Sequence, residues 1–136
     1  MSQVLIVEDE IKTATPVKEA LELEGITADI AIDGETGLAM FKNGEYDLVL
    51  LDLKMPGKSG EDVAREIRKE DPFVDIIIYT NYTDFADIKK LTNIGIDGYI
   101  NKGPDADLTE LIEAIKAKLA PLDDSTIIDL LKNLPE

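Results

Sequence analysis

The sequence predicts an α/β fold in which helices cover both faces of a parallel, five-stranded sheet, a doubly wound arrangement. Three observations support this prediction. Short apolar runs alternate with longer amphipathic stretches five times along the chain. Three of the runs are continuous and consist mostly of β-branched residues and Leu, which is typical of strands buried on both faces. Glycines close several of the amphipathic stretches, as they often do at the ends of helices.

The character of each apolar run predicts its place in the sheet. Runs 4–7, 48–51 and 76–79 are continuous and belong in the centre. Run 26–32 alternates apolar and polar residues, which favours a half-exposed edge strand, and run 98–100 is as short as an edge strand can be. The flavodoxin-like strand order 2-1-3-4-5 fits this pattern, whereas an order with the second strand inside conflicts with its alternation.

Five helices are predicted from apolar residues at helical spacing. The first follows Asp9 and ends before Gly25, which is expected to stand just beyond its last turn. Because Pro16 lies inside this stretch, the helix either kinks or starts late with Thr15 as its N-cap. The other predicted helices are 34–43, 59–70 with Ser59 as N-cap, 83–94 closed by Gly95, and 105–119.

The composition excludes several classes of function. The chain contains no Cys and no His, which excludes disulfides, thiolate zinc sites and Ser-His-Asp catalysis. Its 14 basic and 29 acidic residues give a net charge of −15, which argues against direct binding of nucleic acid. No apolar stretch approaches the roughly 20 residues of a membrane span, and no basic signal segment opens the chain, so a cytoplasmic protein is expected.

One domain is expected over residues 1–120, because a chain of 136 residues with 44% apolar content can bury one core. The remaining segment, 121–136, has apolar residues at the spacing of a short amphipathic helix. It could pack on its own domain, pack on a second protomer or begin a linker. Deleting 122–136 is therefore expected to lower either the stability or the population of a homodimer.

Five polar residues are predicted to meet at one edge of the sheet, because ligands of open parallel sheets bind outside the carboxyl ends of the strands. At about 5 Å and an effective dielectric near 20, each pair of carboxylates costs roughly 3 kcal/mol, so a hard cation such as Mg²⁺ is expected. A carboxylate nucleophile, an ammonium and a hydroxyl complete a phosphoryl-transfer site. The five residues are Glu8, Asp9, Asp52, Thr80 and Lys102.

Over residues 3 to about 120, the sequence resembles the receiver domain of two-component response regulators. The most specific segment is Asp-x-x-Met-Pro-Gly-x-x-Gly, which follows an apolar strand and runs from Asp52 to Gly60. An acidic pair precedes it, and a Thr and a Lys follow it in order. The segments that carry the resemblance are 4–10, 47–60, 78–80 and 98–102.

The resemblance implies a role for each matching residue at the strand ends. Asp52 would be the phosphoacceptor, and Lys102 would contact the phosphoryl group. Asp9, Asp52 and the backbone carbonyl of Lys54 would ligate Mg²⁺, while Glu8 would hold one of the ion's water ligands.

The resemblance also implies a switch and a set of residues that adjust its rates. Thr80 would move toward the phosphoryl group and Tyr99 would turn inward, which changes a readout face at about 83–119. Lys54 and Tyr82 occupy the two positions that modulate the rate of dephosphorylation in this family. Both are bulky, so a phosphoryl group shielded from water and a long lifetime are expected.

Two positions depart from the family pattern. Asn81 follows Thr80 where the family usually has Ala or Gly, and its larger side chain is expected to narrow access to Asp52. Lys102 is followed by Gly103 rather than directly by Pro, which leaves the local geometry of Lys102 open.

The function implied is a phosphorylation-controlled signalling switch. A sensor histidine kinase or a His-phosphotransfer protein would donate the phosphoryl group, and because the chain has no His, the donor His must lie on that partner. The chain would catalyse only its own phosphorylation and dephosphorylation, and it would control an unknown downstream protein. With about 15 residues after Pro121, it is expected to be either a stand-alone receiver or a fragment of a larger regulator or hybrid kinase.

Three alternatives remain at this point. A Mg²⁺-dependent phosphatase with an aspartyl-phosphate intermediate would want Asp-x-Asp, but Lys54 stands two residues after Asp52. A flavodoxin would need a hydroxyl-rich phosphate loop after the first strand, where the acidic run 8–10 would repel phosphate. A degenerate receiver that acts without phosphorylation is disfavoured by the intact polar set, although Asn81 keeps it open.

Overall fold

The computed structural model describes residues 2–81, 85–102 and 108–120, and strands and helices alternate throughout. This confirms the predicted α/β architecture. In chain order the elements are β1 (Gln3–Val7), α1 (Ile11–Leu23), β2 (Thr27–Ala31), α2 (Gly34–Asn43), β3 (Leu48–Leu51), α3 (Gly60–Glu70), β4 (Asp75–Thr80), α4 (Phe85–Ile94), β5 (Gly98–Asn101) and α5 (Leu108–Leu119).

The five strands form one parallel sheet in the order β2-β1-β3-β4-β5, as predicted. The register places Val7 beside both Ala31 and Leu51, and Thr80 beside Asn101. The continuous apolar runs occupy β1, β3 and β4, where every apolar side chain is buried because helices cover both faces of the sheet.

The edge strand β2 keeps its alternation only in part. Thr27 is exposed and Ala28 is buried, as the pattern predicts. The strand ends at Ala31, which is also buried, and Ile32 lies beyond it with 53% of its surface exposed. Ile32 therefore belongs to the surface of the loop before α2 rather than to the core.

Two apolar layers hold the helices to the sheet. On one face of the sheet, residues of α2, α3 and α4 pack against Leu5, Val49 and Ile78. On the other face, residues of α1 and α5 pack against Ile6 and Leu50. Since the side chains of each central strand alternate between these layers, neither face of β1, β3 or β4 reaches solvent.

The late start considered for the first helix is wrong. Helix α1 begins at Ile11 and continues through Pro16. The backbone N–H of Ala14 donates to the carbonyl of Glu10 at 3.0 Å, so the first turn closes ahead of the proline. Pro16 then removes only the bond that its own N–H would have donated. Gly25, with φ of +79°, stands just beyond the helix as predicted.

The predicted boundaries of α2 and α3 are confirmed by their caps. Asp33 accepts a hydrogen bond from the N–H of Thr36 at 2.7 Å, and Ser59 Oγ accepts one from the N–H of Asp62 at 3.2 Å. Segments 82–84 and 103–107 lie outside the described residues, as does segment 121–136 with its predicted helix. In the part of the chain that the structure describes, no helix is long and apolar enough to cross a membrane.

Candidate functional site

The predicted site residues follow the carboxyl ends of four neighbouring strands. Glu8 comes directly after β1, Asp52 after β3 and Lys102 after β5, and Thr80 is the last residue of β4. Because the strands are parallel, these ends lie at the same edge of the sheet. Two backbone bonds reinforce the arrangement, since the N–H of Asp52 donates to Val7 at 3.0 Å and the N–H of Lys102 donates to Thr80 at 2.9 Å.

Three carboxylates meet at this edge. Glu8, Asp9 and Asp52 each offer an oxygen, and these oxygens lie within 4.8 Å of one another. Glu8 and Asp52 are buried, with 2% and 7% of their surface exposed, whereas Asp9 is half-buried. Oε1 of Glu8 accepts a hydrogen bond from the backbone N–H of Glu10 at 3.2 Å, which orients that side chain.

Lys102 lies among these carboxylates. Its Nζ is 2.5 Å from Oε2 of Glu8 and 3.3 Å from Oδ2 of Asp52. It also lies 5.5 Å from the centre of the Tyr79 ring, within the range of a cation–π interaction. The side chain therefore reaches the site although Gly103, and not proline, follows it.

Burial sets the electrostatics of the site. Desolvation raises the pKa of Glu8 to about 7, the hydrogen bond from Lys102 opposes this, and the charge of Asp52 adds to it. Burial alone would lower the pKa of Lys102, but its hydrogen bond to Glu8 and the charge of Asp52 outweigh that effect and raise it. Lys102 is therefore a fixed positive charge, and three carboxyl groups face this one ammonium.

The donor atoms present fit a hard divalent cation. All three side chains offer carboxylate oxygen, the ligand type that Mg²⁺ prefers, and the half-buried Asp9 leaves the cluster open on one side. A divalent cation supplies charge neutralisation and a template for phosphate oxygens when bound. Glu8, Asp9 and Asp52 are the residues that would hold it.

The loop between β3 and α3 approaches Asp52 so closely that one position requires glycine. A Cβ atom on Gly60 would lie 2.1 Å from the carbonyl oxygen of Asp52 and 2.7 Å from Cα of Leu53. Gly57, with φ of +78°, provides the left-handed turn within the same loop. Lys54 is exposed in this loop. The two glycines of the motif from Asp52 to Gly60 are therefore required by the backbone geometry of this loop.

The predicted switch and rate-modulating residues are placed as follows. Thr80 is buried, with 1% of its surface exposed, and Tyr99 is half-buried on β5 beside Ile78, packed against the layer of α2, α3 and α4. Asn81 is exposed directly after Thr80. Tyr82 lies outside the described residues, and the switch and rate-modulating roles of all these residues stay predictions.

Two contributors escaped the sequence analysis. Tyr79 supplies the ring beneath Lys102, and Thr13 of α1 joins Tyr79, Glu8 and Asp52 in lining a cavity of about 10 Å³, the size of one water molecule. The only sequence signal for Tyr79 was its position directly before Thr80, the last residue of a buried strand. Nothing in the sequence links Thr13 to the site, since its position depends on how α1 crosses β1.

The comparisons with known proteins decide the family. A model of the response regulator receiver domain matches residues 4–116. The chain belongs to that family. The receiver chain is 37% identical over 130 residues to response regulator ArlR of Staphylococcus saprophyticus. The aligned region covers 96% of this chain and 58% of ArlR. Thus the receiver spans little more than half the length of that relative.

Solved structures of other response regulators have the same fold as this chain. A CheY-like response regulator receiver domain from Methanospirillum hungatei superimposes with a TM-score of 0.83 at 29% identity, covering 95% of this chain and 98% of that one. Response regulator TrrA from Thermotoga maritima, in complex with Mg²⁺–BeF, gives a TM-score of 0.78 at 39% identity and covers 88% and 100% of the two chains. TrrA has also been solved in complex with histidine kinase ThkA, at 38% identity to this receiver and the same TM-score and coverage.

Proposed function

We propose that this receiver is a phosphorylation-controlled switch that accepts a phosphoryl group on Asp52 with the help of Mg²⁺. The observation that carries the proposal is the cluster itself: three carboxylate oxygens within 4.8 Å, with Lys102 Nζ 3.3 Å from Asp52. One carboxylate oxygen of Asp52 attacks the phosphorus of the donor. A new O–P bond forms, and the bond between the phosphorus and the donor group breaks.

Each neighbouring residue has a task in that transfer. Glu8, Asp9 and Asp52 would hold the cation, and the resemblance to other receivers adds the backbone carbonyl of Lys54 as a further ligand. Lys102, which is already charged and lies against Asp52, neutralises the charge that the phosphoryl group brings. Burial of Asp52 excludes most water, and this strengthens both attractions.

The donor is proposed to be a phosphohistidine on a partner, either a sensor histidine kinase or a His-phosphotransfer protein. The receiver contains no His of its own, and TrrA has been solved with a histidine kinase. Two large apolar residues border the acidic edge, Ile11 at the start of α1 and Ile32 after β2, with 51% and 53% of their surface exposed. They offer the partner an apolar contact at the edge of the sheet where Asp52 lies.

The output is proposed to pass through Thr80 and Tyr99. Thr80 is buried at the end of β4, the strand beside β3, and its carbonyl accepts a hydrogen bond from the backbone N–H of Lys102. A movement of Thr80 toward the phosphoryl group would therefore be transmitted to the end of β5. Tyr99 lies in β5 and packs against the apolar layer formed with α2, α3 and α4, which includes Leu91. A change there would alter the α4–β5–α5 face, which a downstream protein would recognise.

The test is phosphorylation by a small donor. Acetyl phosphate with Mg²⁺ is expected to add one phosphoryl group to the wild-type chain, and intact-protein mass spectrometry would detect it. Asp52→Asn should abolish the addition without changing the fold, while Asp62→Asn, on the exposed side of α3, should leave it intact. Labelling that survives Asp52→Asn would reject Asp52 as acceptor, and an unlabelled wild-type chain would favour a receiver that acts without phosphorylation.

A further inference from the structure

The groove between α3 and α4 concentrates basic residues in an otherwise acidic protein. It encloses about 470 Å³ and is lined by Arg65, Arg68, Lys69, Lys90, Asn93 and Ile94. Four of these six residues are basic, and none of the six is acidic, although the chain carries a net charge of −15. Because Arg68, Lys69 and Ile94 come from the last turns of their helices, the groove lies at the opposite end of the domain from Asp52.

The four cations differ in how firmly they are engaged. Lys69 and Lys90 are exposed, and neither forms an ion pair with another side chain that the structure describes, a set that leaves out the side chains of 82–87. Arg65 pairs with Glu61 at 2.9 Å and with Asp62 at 3.2 Å, but it is 46% exposed, and such surface pairs contribute little. Three cations can therefore turn to an incoming anion.

Arg68 is held in place and joins the groove to a neighbouring loop. Its Nη1 donates to the carbonyl of Val74 at 2.8 Å and to that of Asp71 at 3.2 Å, and its Nη2 donates to the carbonyl of Gly95 at 2.7 Å and to Asp97 at 3.0 Å. The guanidinium thus fixes the loop that precedes β4 against the end of α4.

That loop presents an exposed aromatic side chain. Phe73 has 90% of its surface in solvent. Its backbone is fixed, because Oδ1 of Asp71 accepts from the N–H of Phe73 at 2.8 Å and from the N–H of Val74 at 3.1 Å. An aromatic ring on a rigid loop beside an arginine is typical of the residues that contribute most to protein–protein interfaces.

We propose that the α3–α4 groove and Phe73 form a docking surface for an acidic segment of a partner protein, one that carries an apolar side chain. Carboxylates of the segment would pair with Lys69, Lys90 and Arg65, and the apolar side chain would cover Phe73. The negative charge of the rest of the domain repels an acidic partner elsewhere, so this surface is where such a segment can bind. No residue of the acidic site lines the groove, so binding does not require the Asp52 carboxylate.

The groove suits a peptide better than a nucleotide or free phosphate. Its walls are helix faces, whose backbone N–H groups are already used within the helices, and the last turns carry partial negative charge. Lys69 and Lys90 are exposed on two different helices, so they can pair with carboxylates spaced along a chain.

The test uses a displayed library of random twelve-residue peptides selected on the full-length chain. Peptides enriched in Asp or Glu together with an apolar residue are expected. Fluorescence anisotropy should show at least tenfold weaker binding of an enriched peptide to Lys69→Glu/Lys90→Glu and to Phe73→Ala. The matched control, Lys12→Glu/Lys118→Glu, makes the same charge change on α1 and α5 and should bind as the wild type does.

Further measurements separate this proposal from the others. Lys69→Gln/Lys90→Gln removes the two positive charges without introducing carboxylates into the helices. It should therefore lose peptide binding even if Lys69→Glu/Lys90→Glu does not fold stably. Asp52→Asn should bind normally, and a loss there would assign binding to the acidic site instead. Selection without acidic enrichment, equal binding by the groove variants, or self-association of the receiver through this surface would each overturn the proposal.

Discussion

At the scale of single residues, the acidic site depends on two close contacts that tolerate little change. Lys102 stands between Glu8 and Asp52 and compensates part of their charge. Gly60 allows the backbone after Asp52 to fold back on itself. Both contacts are specific enough that a single substitution should report on them.

Replacing Gly60 by Ala should disturb the site by overpacking. Its Cβ would meet the Asp52 carbonyl at 2.1 Å, so the loop must shift, and the free energy of unfolding is expected to fall by about 1–3 kcal/mol. Urea unfolding would measure the change. Gly98→Ala is the control, because its Cβ would come no closer than 3.4 Å to Ile77. A Gly60→Ala chain as stable as Gly98→Ala would contradict the tight loop.

Lys102→Met should reveal what the ammonium contributes. Removing it leaves Glu8 and Asp52 buried without their cation, and the loss of one partner from a buried pair costs about 3 kcal/mol. The loss should be smaller with Mg²⁺ present, which chemical unfolding with and without the ion would show. Lys116→Met breaks an exposed pair with Glu24 and should change stability by less than about 1 kcal/mol. Equal losses in the two variants would contradict this view of Lys102.

At the scale of elements, Arg68 is the connection that the strand and helix pattern does not show. One side chain of α3 binds the loop before β4 and the loop before β5 through four acceptors. Asp97, one of these acceptors, also accepts from the N–H of Ile76 at 2.8 Å. The network therefore ties α3 and α4 to the amino ends of two strands.

Arg68→Lys should weaken that network, because an ammonium cannot reproduce the planar fork of the guanidinium. With several hydrogen bonds lost and carbonyls left without their donor, a loss of about 2–3 kcal/mol in unfolding free energy is expected. Arg65→Lys, which affects only exposed pairs on α3, should stay within about 0.5 kcal/mol. Thermal and urea unfolding would compare the two. If Arg68→Lys behaved like Arg65→Lys, the network would be structurally unimportant.

At the scale of the whole molecule, the proposed cation site would link the stability of the domain to Mg²⁺ binding. Carboxylates from the ends of two neighbouring strands approach within 4.8 Å only in the folded chain, so a cation that binds them stabilises the fold. At a free Mg²⁺ concentration 100 times the dissociation constant, the gain is about 2.7 kcal/mol.

Mg²⁺ is therefore expected to raise the melting temperature by several degrees, and Asp9→Asn should remove most of that increase. Glu19→Gln, an exposed change on α1, should leave the increase intact. Differential scanning calorimetry with and without the ion would measure both. An unchanged melting temperature for the wild-type chain would contradict a metal site at this edge.

The amino-acid sequence by itself determined the element types, the strand order and the set of polar residues at the strand ends. These features depend on local patterns: continuous apolar runs, one alternating strand, caps such as Ser59, and a specific motif after Asp52. Tertiary structure decided what depends on crossing and closure. It carried α1 through Pro16, brought Tyr79 beneath Lys102, and fixed the loop that carries Phe73 through Arg68. Such contacts join residues whose neighbours along the chain carry no sign of them, because packing and burial act on distances in space.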